Sequence, residues 1–370
     1  VSLALMRVAL PSIGAMTFFD APKPPKRGRF AGWIALGIAS IVAVGLLVVP
    51  TGFVIERPGQ VFNVMGQIDG TQVISSTEVE TFESESRFDV TTVSLLGNRE
   101  STPSWVQVLY AWADPNQVVL PLDEIFPPSF TSEQFRAESS LQMEVSQQDA
   151  IAVALKKLGY QVPRALYVNT VLEGAPSSGI LVAGDLITSA GGVPVETFDA
   201  FKAQIQLAKD SPLNIEVIRD GQDTSLLVTP SLNGEIWVIG SMIGYTYNFP
   251  FELDLQLGDV GGPSGGLIFS LGVLDALTEG SLAGSAHVAG TGTIDPDGNV
   301  GPIGGIALKM LGAKQAGAEL FLAPEANCQE AIDKIPSNLT VVSVRDLTEA
   351  LEKIEMFANG EQLPAMQCNN

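Results

Sequence analysis

Ser264 lies in Gly262-Pro263-Ser264-Gly265-Gly266, a glycine-rich turn that runs at once into the apolar stretch LIFSLGVLDAL. A hydroxyl at such a place stands near free backbone N–H groups and the positive end of a helix dipole. Those groups can hold an oxyanion, and the glycines let another backbone approach closely. The serine is therefore a candidate nucleophile for acyl transfer, provided a base takes its proton. Taken alone, Pro-Ser-Gly before a helix reads as an ordinary cap, because Ser is a favoured cap residue.

Composition restricts the base. Histidine occurs once, at His287. A multi-His metal site is excluded, and a Ser–His mechanism would have to use that residue. No acid can be placed to orient it, so His287 reads as structural. A lysine base needs no histidine. Lys309 sits in the helical run IALKMLGAKQAGA, with Gly305, Ile306, Gly312 and Ala313 three and four residues away. Lys314 has similar neighbours, so facing alone does not choose between them. For either, a solvated lysine whose stem covers apolar surface is the bland alternative.

The elements that must position these groups are legible. WVIGSMIG (237–244) and FELDLQL (251–257) read as strands, and a helix is expected over about 267–278. VAGTGTI is a strand, Asp297-Gly298 a turn, NVGPIGG the lead into the lysine helix, and ELFLAP a buried strand. Together the segments resemble the proteolytic domain of Lon-type (S16) peptidases. G-P-S-(small)-G matches residues 262–266. T-G-x-I, a hairpin, then G-x-V-x-P-I-G-G-(three residues)-K matches Thr291–Ile294, Gly298–Gly305 and Lys309. The resemblance implies Ser264 as nucleophile, Lys309 as its base (chosen over Lys314 by the spacing from Gly305), and Thr291 as the threonine beside the amine. Gly262, Pro263 and Gly265 are expected to serve the oxyanion and the substrate backbone. ATP-dependent members have an acid three residues before the serine. Here that position is Gly261, and Asp259 is in a different register.

Upstream, ALYVNTVL (165–172) is a strand, EGAPSSG and VAGDLITSAGGVPV carry turns and a strand, ETFDAFKAQIQLA (196–208) is an amphipathic helix, and PLNIEVIRDGQDTSLLVTP is a hairpin turning at Asp220-Gly221. This order resembles a PDZ domain over about 158–232. PDZ domains bind an extended peptide as an added strand. The resemblance implies a groove along Arg164, Ala165, Leu166, Tyr167 and Val168. SQQDAIAVALKKLGY (146–160) reads as a helix capped by Ser146.

From Phe30 to Ile55 there is no charged residue. The stretch 31–50 has the ~20 residues a helix needs to cross a bilayer and lacks a small-x-small site after it, so an uncleaved anchor is expected rather than a signal peptide. The flank KPPKRGR is basic and implies a cytoplasmic N-terminus. Everything after residue 50 is then extracytoplasmic. Residues 51–157 read as a β-rich juxtamembrane connection plus one helix, without chemistry of their own.

The expected architecture is thus α+β and multidomain: an N-terminus (1–30), a transmembrane helix (31–50), the juxtamembrane segment (51–157), a sandwich-like PDZ domain with helices (158–232), an α/β Lon-type domain (233–357) and a polar tail (358–370). Net charge is −21, with 15 of the 20 basic and 40 of the 41 acidic residues falling after residue 30. That balance excludes nucleic acid as a partner. No G-x-x-x-x-G-K-[ST] occurs, so no nucleotide is expected, and no metal or other cofactor. An anchor, a PDZ unit and a Lon-type domain without an ATPase resemble the membrane-bound PDZ–Lon proteases of Gram-positive bacteria, whose first extracytoplasmic strand VIERPG also resembles. The resemblance implies cleavage of exported or membrane proteins at defined sites. The alternatives are an inert PDZ scaffold or a chaperone-like binding module. A homo-oligomer stays open, as does a Cys328–Cys368 disulfide, which would suit an oxidising compartment.

Overall fold

The structure, a computed structural model, describes residues 28–68, 70–127, 131–258, 260–364, 366 and 368. The N-terminal segment lies almost wholly outside these residues, as does Asp259.

The first helix, α1 (Gly28–Val48), overlaps the stretch 31–50 expected to form a transmembrane helix. Its apolar side chains from Trp33 to Val48 stand largely exposed. Among the described residues, no helix is long and apolar enough to cross a membrane.

The main body is a six-stranded sheet. Its strands are β1 (Phe53–Asn63), β2 (Arg87–Leu96), β3 (Val118–Pro121), and, far along the chain, three more. The spatial order runs from the last of these, Thr340–Val344, through Leu320–Pro324 and His287–Gly290 to β2, β1 and β3. His287–Gly290 runs parallel to both β2 and Leu320–Pro324, whereas β2–β1–β3 is antiparallel. Residues 51–157 are therefore not a connection. They supply half of the sheet on which the C-terminal segment is built. Phe88, Val90, Thr91 and Asp89 are all buried, so β2 has protein on both faces. From sequence it reads merely as an extended strand, because its parallel partner His287–Gly290 lies 200 residues away.

The helix expected to begin at Ser146 begins earlier. A helix spans Ser132–Lys157, capped by Thr131 in a box with Gln134. Its first half, SEQFRAESSLQMEV, is too polar to show an apolar stripe. Ser146 is consequently an interior residue whose side chain is free to leave the helix.

A second sheet follows: β4 (Arg164–Val171), β5 (Leu186–Ala190), β6 (Leu213–Arg219), β7 (Gln222–Val228) and β8 (Ser241–Tyr247), in the spatial order β7-β6-β5-β4-β8. The hairpin β6–β7 turns at Asp220 and Gly221, both at positive φ (52° and 77°), which matches the right-handed strand twist. A helix over Phe198–Ala208 is capped by Thr197 and buries Phe201 and Ile205 against this sheet. We number the helices α1, α2 (Trp105–Ala113), α3 (Ser132–Lys157) and α4 (Phe198–Ala208). Past β8, the main body resumes with α5 (Gly266–Ala276), β9 (His287–Gly290), α6 (Ile306–Gln315), β10 (Leu320–Pro324), β11 (Thr340–Val344) and α7 (Leu347–Ala358).

The main body is layered. Leu320 and Leu322 of β10 and Val288 of β9 pack with α3 and α5 on one face; Phe321, Ala323 and Ala289 pack with Ile306, Met310 and Ala313 of α6 on the other. Period-2 alternation thus sends apolar side chains into two cores. All eleven residues of α5 are buried, so it shows no amphipathic stripe.

Candidate active site

Ser264 precedes α5, Lys309 lies in the first turns of α6, and Thr291 directly follows β9. The sheet end brings them together. Lys309 Nζ donates to Ser264 Oγ at 2.7 Å and to Thr291 Oγ1 at 3.0 Å. Thr291 Oγ1 donates in turn to the Ser264 carbonyl at 3.0 Å, which also accepts from Gly292 N–H at 2.8 Å. Spacing had selected Lys309 over Lys314. The geometry separates them too: Lys314 Nζ reaches only the exposed hydroxyl of Ser337.

Lys309 is 3% exposed and Thr291 is fully buried. Burial disfavours the ammonium and brings Lys309 down to about 8, against a smaller opposing pull from the Glu56 carboxylate. Glu56 lies on β1. Its own carboxyl is pushed up by burial, with Lys309 acting the other way. No chemistry had been assigned to that strand. A strand broken by Pro58-Gly59 was the available signal, and the structure shows a bulge between Pro58 and Val61.

Backbone geometry explains the glycines that matter most. Gly262 has φ +86°, the left-handed region that side chains rarely adopt. A Cβ on Gly266 would stand 2.9 Å from Ile294 N and from Ser146 Oγ, so the chain passes there only without a side chain. The loop is fastened to α3 at two points. Gly262 N–H donates to the Ser139 carbonyl at 2.8 Å, and Ser146 Oγ donates to the Pro263 carbonyl at 2.9 Å. Gly262 therefore has no free N–H for an oxyanion, and Pro263 has none by its chemistry. Of the three residues expected to serve the oxyanion, only Gly265 keeps an N–H available, and the N–H of Ser264 itself stands beside it.

A cleft of about 610 Å³ opens over Ser264 and Lys309, lined by Arg57, Gly59 and Gln60 of β1, Thr92 of β2 and Val260. Sequence reasoning missed this wall entirely, because it comes from the segment taken as a connection.

His287 stands apart from this site. Its Nε2 is 2.6 Å from Asp89 Oδ2, and Arg87 donates twice to the same buried carboxylate at 3.0 Å. Burial alone would raise Asp89, but these hydrogen bonds hold it below its ordinary range. The acid that could not be placed from sequence is thus Asp89, and the pair fastens β2 to β9.

The expected groove along Arg164–Val168 is not open. These residues belong to β4, which pairs with β5 on one side and β8 on the other. Arg164 is 3.1 Å from Asp297 of the main body and lies over the Tyr245 ring at 4.8 Å. The edge on this side of the sheet is β8, beside α4, where Phe198 N–H donates to Tyr245 Oη at 2.8 Å. The strand after the hairpin had been assigned to the next domain, which hid this edge. Cys328 and Cys368 are disulfide-bonded, tying the C-terminal tail to the main body.

The sequence profile of the Lon protease (S16) C-terminal proteolytic domain matches residues 259–356. Curated relatives agree. Lon protease 2 of Bacillus subtilis (strain 168) is 34% identical over 117 residues, 32% of this chain and 20% of that protein. Lon protease 2 of Herpetosiphon aurantiacus is 39% identical over 94 residues, 24% of this chain and 11% of that protein. The chain thus spans a fifth or less of the length of these relatives. Among solved structures, the PDZ domain of the SdrC-like protein from Listeria innocua is 26% identical with a TM-score of 0.20, covering 21% of this chain and 92% of that one. Residues 259–356 are thus similar to the Lon-type (S16) proteolytic domain. In the chain this segment follows the second sheet, β4–β8, and the sequence given contains no G-x-x-x-x-G-K-[ST].

Proposed function

We propose that the chain is a serine endopeptidase in which Ser264 attacks the scissile carbonyl and Lys309 is the general base. The observation that carries this is the 2.7 Å contact between the hydroxyl and a lysine amine excluded from water. With Lys309 near 8, about one amine in ten is neutral at pH 7. The neutral nitrogen accepts the Ser264 proton as Oγ bonds to the substrate carbonyl carbon. The resulting oxyanion is held by backbone N–H groups of Ser264 and Gly265. Thr291 keeps the amine in place through their hydrogen bond. The ammonium then gives its proton to the leaving amine. Water enters against the acyl-enzyme by the same route in reverse and regenerates Ser264.

In this proposal the substrate is an exported or membrane protein. The PDZ-like unit holds an extended segment of it along β8, raising its concentration at the cleft. The reaction needs no ATP. The protease lies outside the cytoplasm, anchored by the uncharged stretch that begins at Phe30 within α1, with the basic flank inside. The exposed apolar side chains of α1 and the Cys328–Cys368 disulfide support that placement.

The test is cleavage of candidate exported proteins by the reconstituted chain without nucleotide, beside Ser264→Ala and Lys309→Ala. Products are expected from the wild type only. Cleavage that persists in both variants refutes the dyad. Silence of the wild type toward every substrate and serine-directed reagent favours a binding module.

A further inference from the structure

The peptide unit that carries the Ser264 N–H is held from outside the matched proteolytic segment. Ser146 is 3% exposed, in the interior of α3, and its hydroxyl donates to the Pro263 carbonyl. Its hydroxyl is not needed as a cap, since α3 is capped at Thr131. A trans peptide is planar, so the C=O of Pro263 and the N–H of Ser264 point in opposite directions. Drawing the carbonyl onto α3 therefore turns the Ser264 N–H away from α3. The next peptide unit is treated the same way. Its carbonyl, on Ser264, accepts from Gly292 N–H and Thr291 Oγ1, which sets the direction of the Gly265 N–H. Thr291 and Gly292 belong to the recognisable motif. Ser146 does not, and lies 117 residues before its acceptor.

We infer that Ser146 is a positioning residue for the acyl-transfer step, fixing the Pro263–Ser264 peptide plane so that the Ser264 N–H is aimed at the oxyanion before substrate arrives. The inference rests on the peptidase function proposed above. The same helix continues to Asp149, which accepts from Tyr247 Oη at 2.5 Å at the end of β8. One turn of α3 thus touches both the nucleophile loop and the last residue of the PDZ-like edge strand.

Without the Ser146 hydroxyl, the Pro263 carbonyl loses its partner and the plane is free to rotate. Removing one oxyanion donor outright costs roughly 10²–10³ in kcat, so misaiming one should cost about 10–100-fold. An interaction made only in the transition state lowers kcat and leaves KM in place. Ser146 does not touch Lys309 Nζ, so the pH midpoint of the rate should stay where the wild type has it.

The experiment compares wild type, Ser146→Ala and Ser146→Cys, the last nearly isosteric but a weak donor. Three quantities are read: kcat and KM on one peptide that the wild type cleaves, the affinity of a peptide boronate that forms a tetrahedral adduct on Ser264, and the pH midpoint. For Ser146→Ala, kcat should fall about 10–100-fold with KM unchanged, boronate affinity should fall by the same factor as kcat/KM, and the midpoint should not move. Ser146→Cys should fall between. An unchanged kcat in both variants overturns the inference. So does a kcat loss with full boronate affinity, or a loss shared equally by KM, which marks a general structural effect. A wild type that neither cleaves peptides nor binds the boronate refutes the peptidase function itself, a different result from any of these.

Discussion

Replacing Lys309 with Met should stabilise the protein at pH 7 while abolishing its activity. Burial brings the Lys309 ammonium from 10.5 down to about 8. At 1.36 kcal/mol per unit, that difference is about 3 kcal/mol of preference for the neutral amine in the fold. The folded value lies below the unfolded one, so folding and proton binding oppose each other. Below pH 8 both states are charged and the whole penalty applies. Between pH 8 and 10.5 the unfolded chain keeps a proton that the folded chain has released, so stability rises with pH. Above about 10.5 the penalty is gone. Met keeps most of the stem in the packed site and removes the charge. Against this, Ser264 and Thr291 lose a shared donor, worth about 1 kcal/mol. The net expectation is a gain of about 2 kcal/mol at pH 7 and a small loss above pH 10.5. Urea unfolding of wild type and Lys309→Met at the two pH values measures both. A Met variant no more stable at pH 7, or equally stabilised at both pH values, would refute the claim that the buried charge is what the fold tolerates for function.

Four further outcomes follow from the structure. Cleavage rate should climb about tenfold per pH unit below pH 8 and level off above it, as Lys309 loses its proton; a rate flat from pH 6 to 9 excludes a lysine base. Burial also pushes Asp149 up to about 6, so here the folded state holds the proton more tightly: wild-type stability should decline as pH rises from about 4 through 6, and Asp149→Asn, still an acceptor for Tyr247, should remove that decline. Reduction of Cys328–Cys368, which are 40 residues apart, should lower stability by about 4 kcal/mol if loop entropy dominates; an unchanged melting temperature on reduction counts against it. Hydrogen exchange during binding of an extended peptide should show new protection at 241–247 and none at 164–171, whose strand is already paired on both sides; the reverse pattern would restore the groove expected from sequence.

What could be read from the sequence divides along a physical line. The nucleophile turn, the lysine helix and the threonine are each local motifs with fixed spacing, so Ser264, Lys309 and Thr291 were nameable before their contacts were known. The hairpin at Asp220-Gly221 and the helix before it were equally local. Features made by distant strands were not legible. β1 and β2 join a sheet with β9 across nearly 200 residues, and the wall of the cleft at Arg57–Gln60 comes with them. β8 forms an edge of the second sheet although it follows the hairpin at which the sequence reading ends that unit. Ser146 looked like a cap because the polar turns before it hide the helix they belong to. The disulfide was undecidable because Cys368 lies in a polar tail, and only tertiary folding places it against Cys328. Glu56 belongs with these cases: its approach to Lys309 is a property of the sheet and of nothing in its own neighbourhood.

The proposed activation of the Ser264 nucleophile by Lys309 can be followed chemically. It is tested most directly by treating the protein with a fluorophosphonate at a series of pH values and mapping the adduct by mass spectrometry. A single adduct is expected on the peptide containing Ser264, formed at a rate that rises with a midpoint near pH 8, absent in Ser264→Ala and at least about a hundredfold slower in Lys309→Ala, the scale of losing a positioned general base. An adduct on another residue, or labelling of Ser264 that is independent of both pH and Lys309, would contradict it.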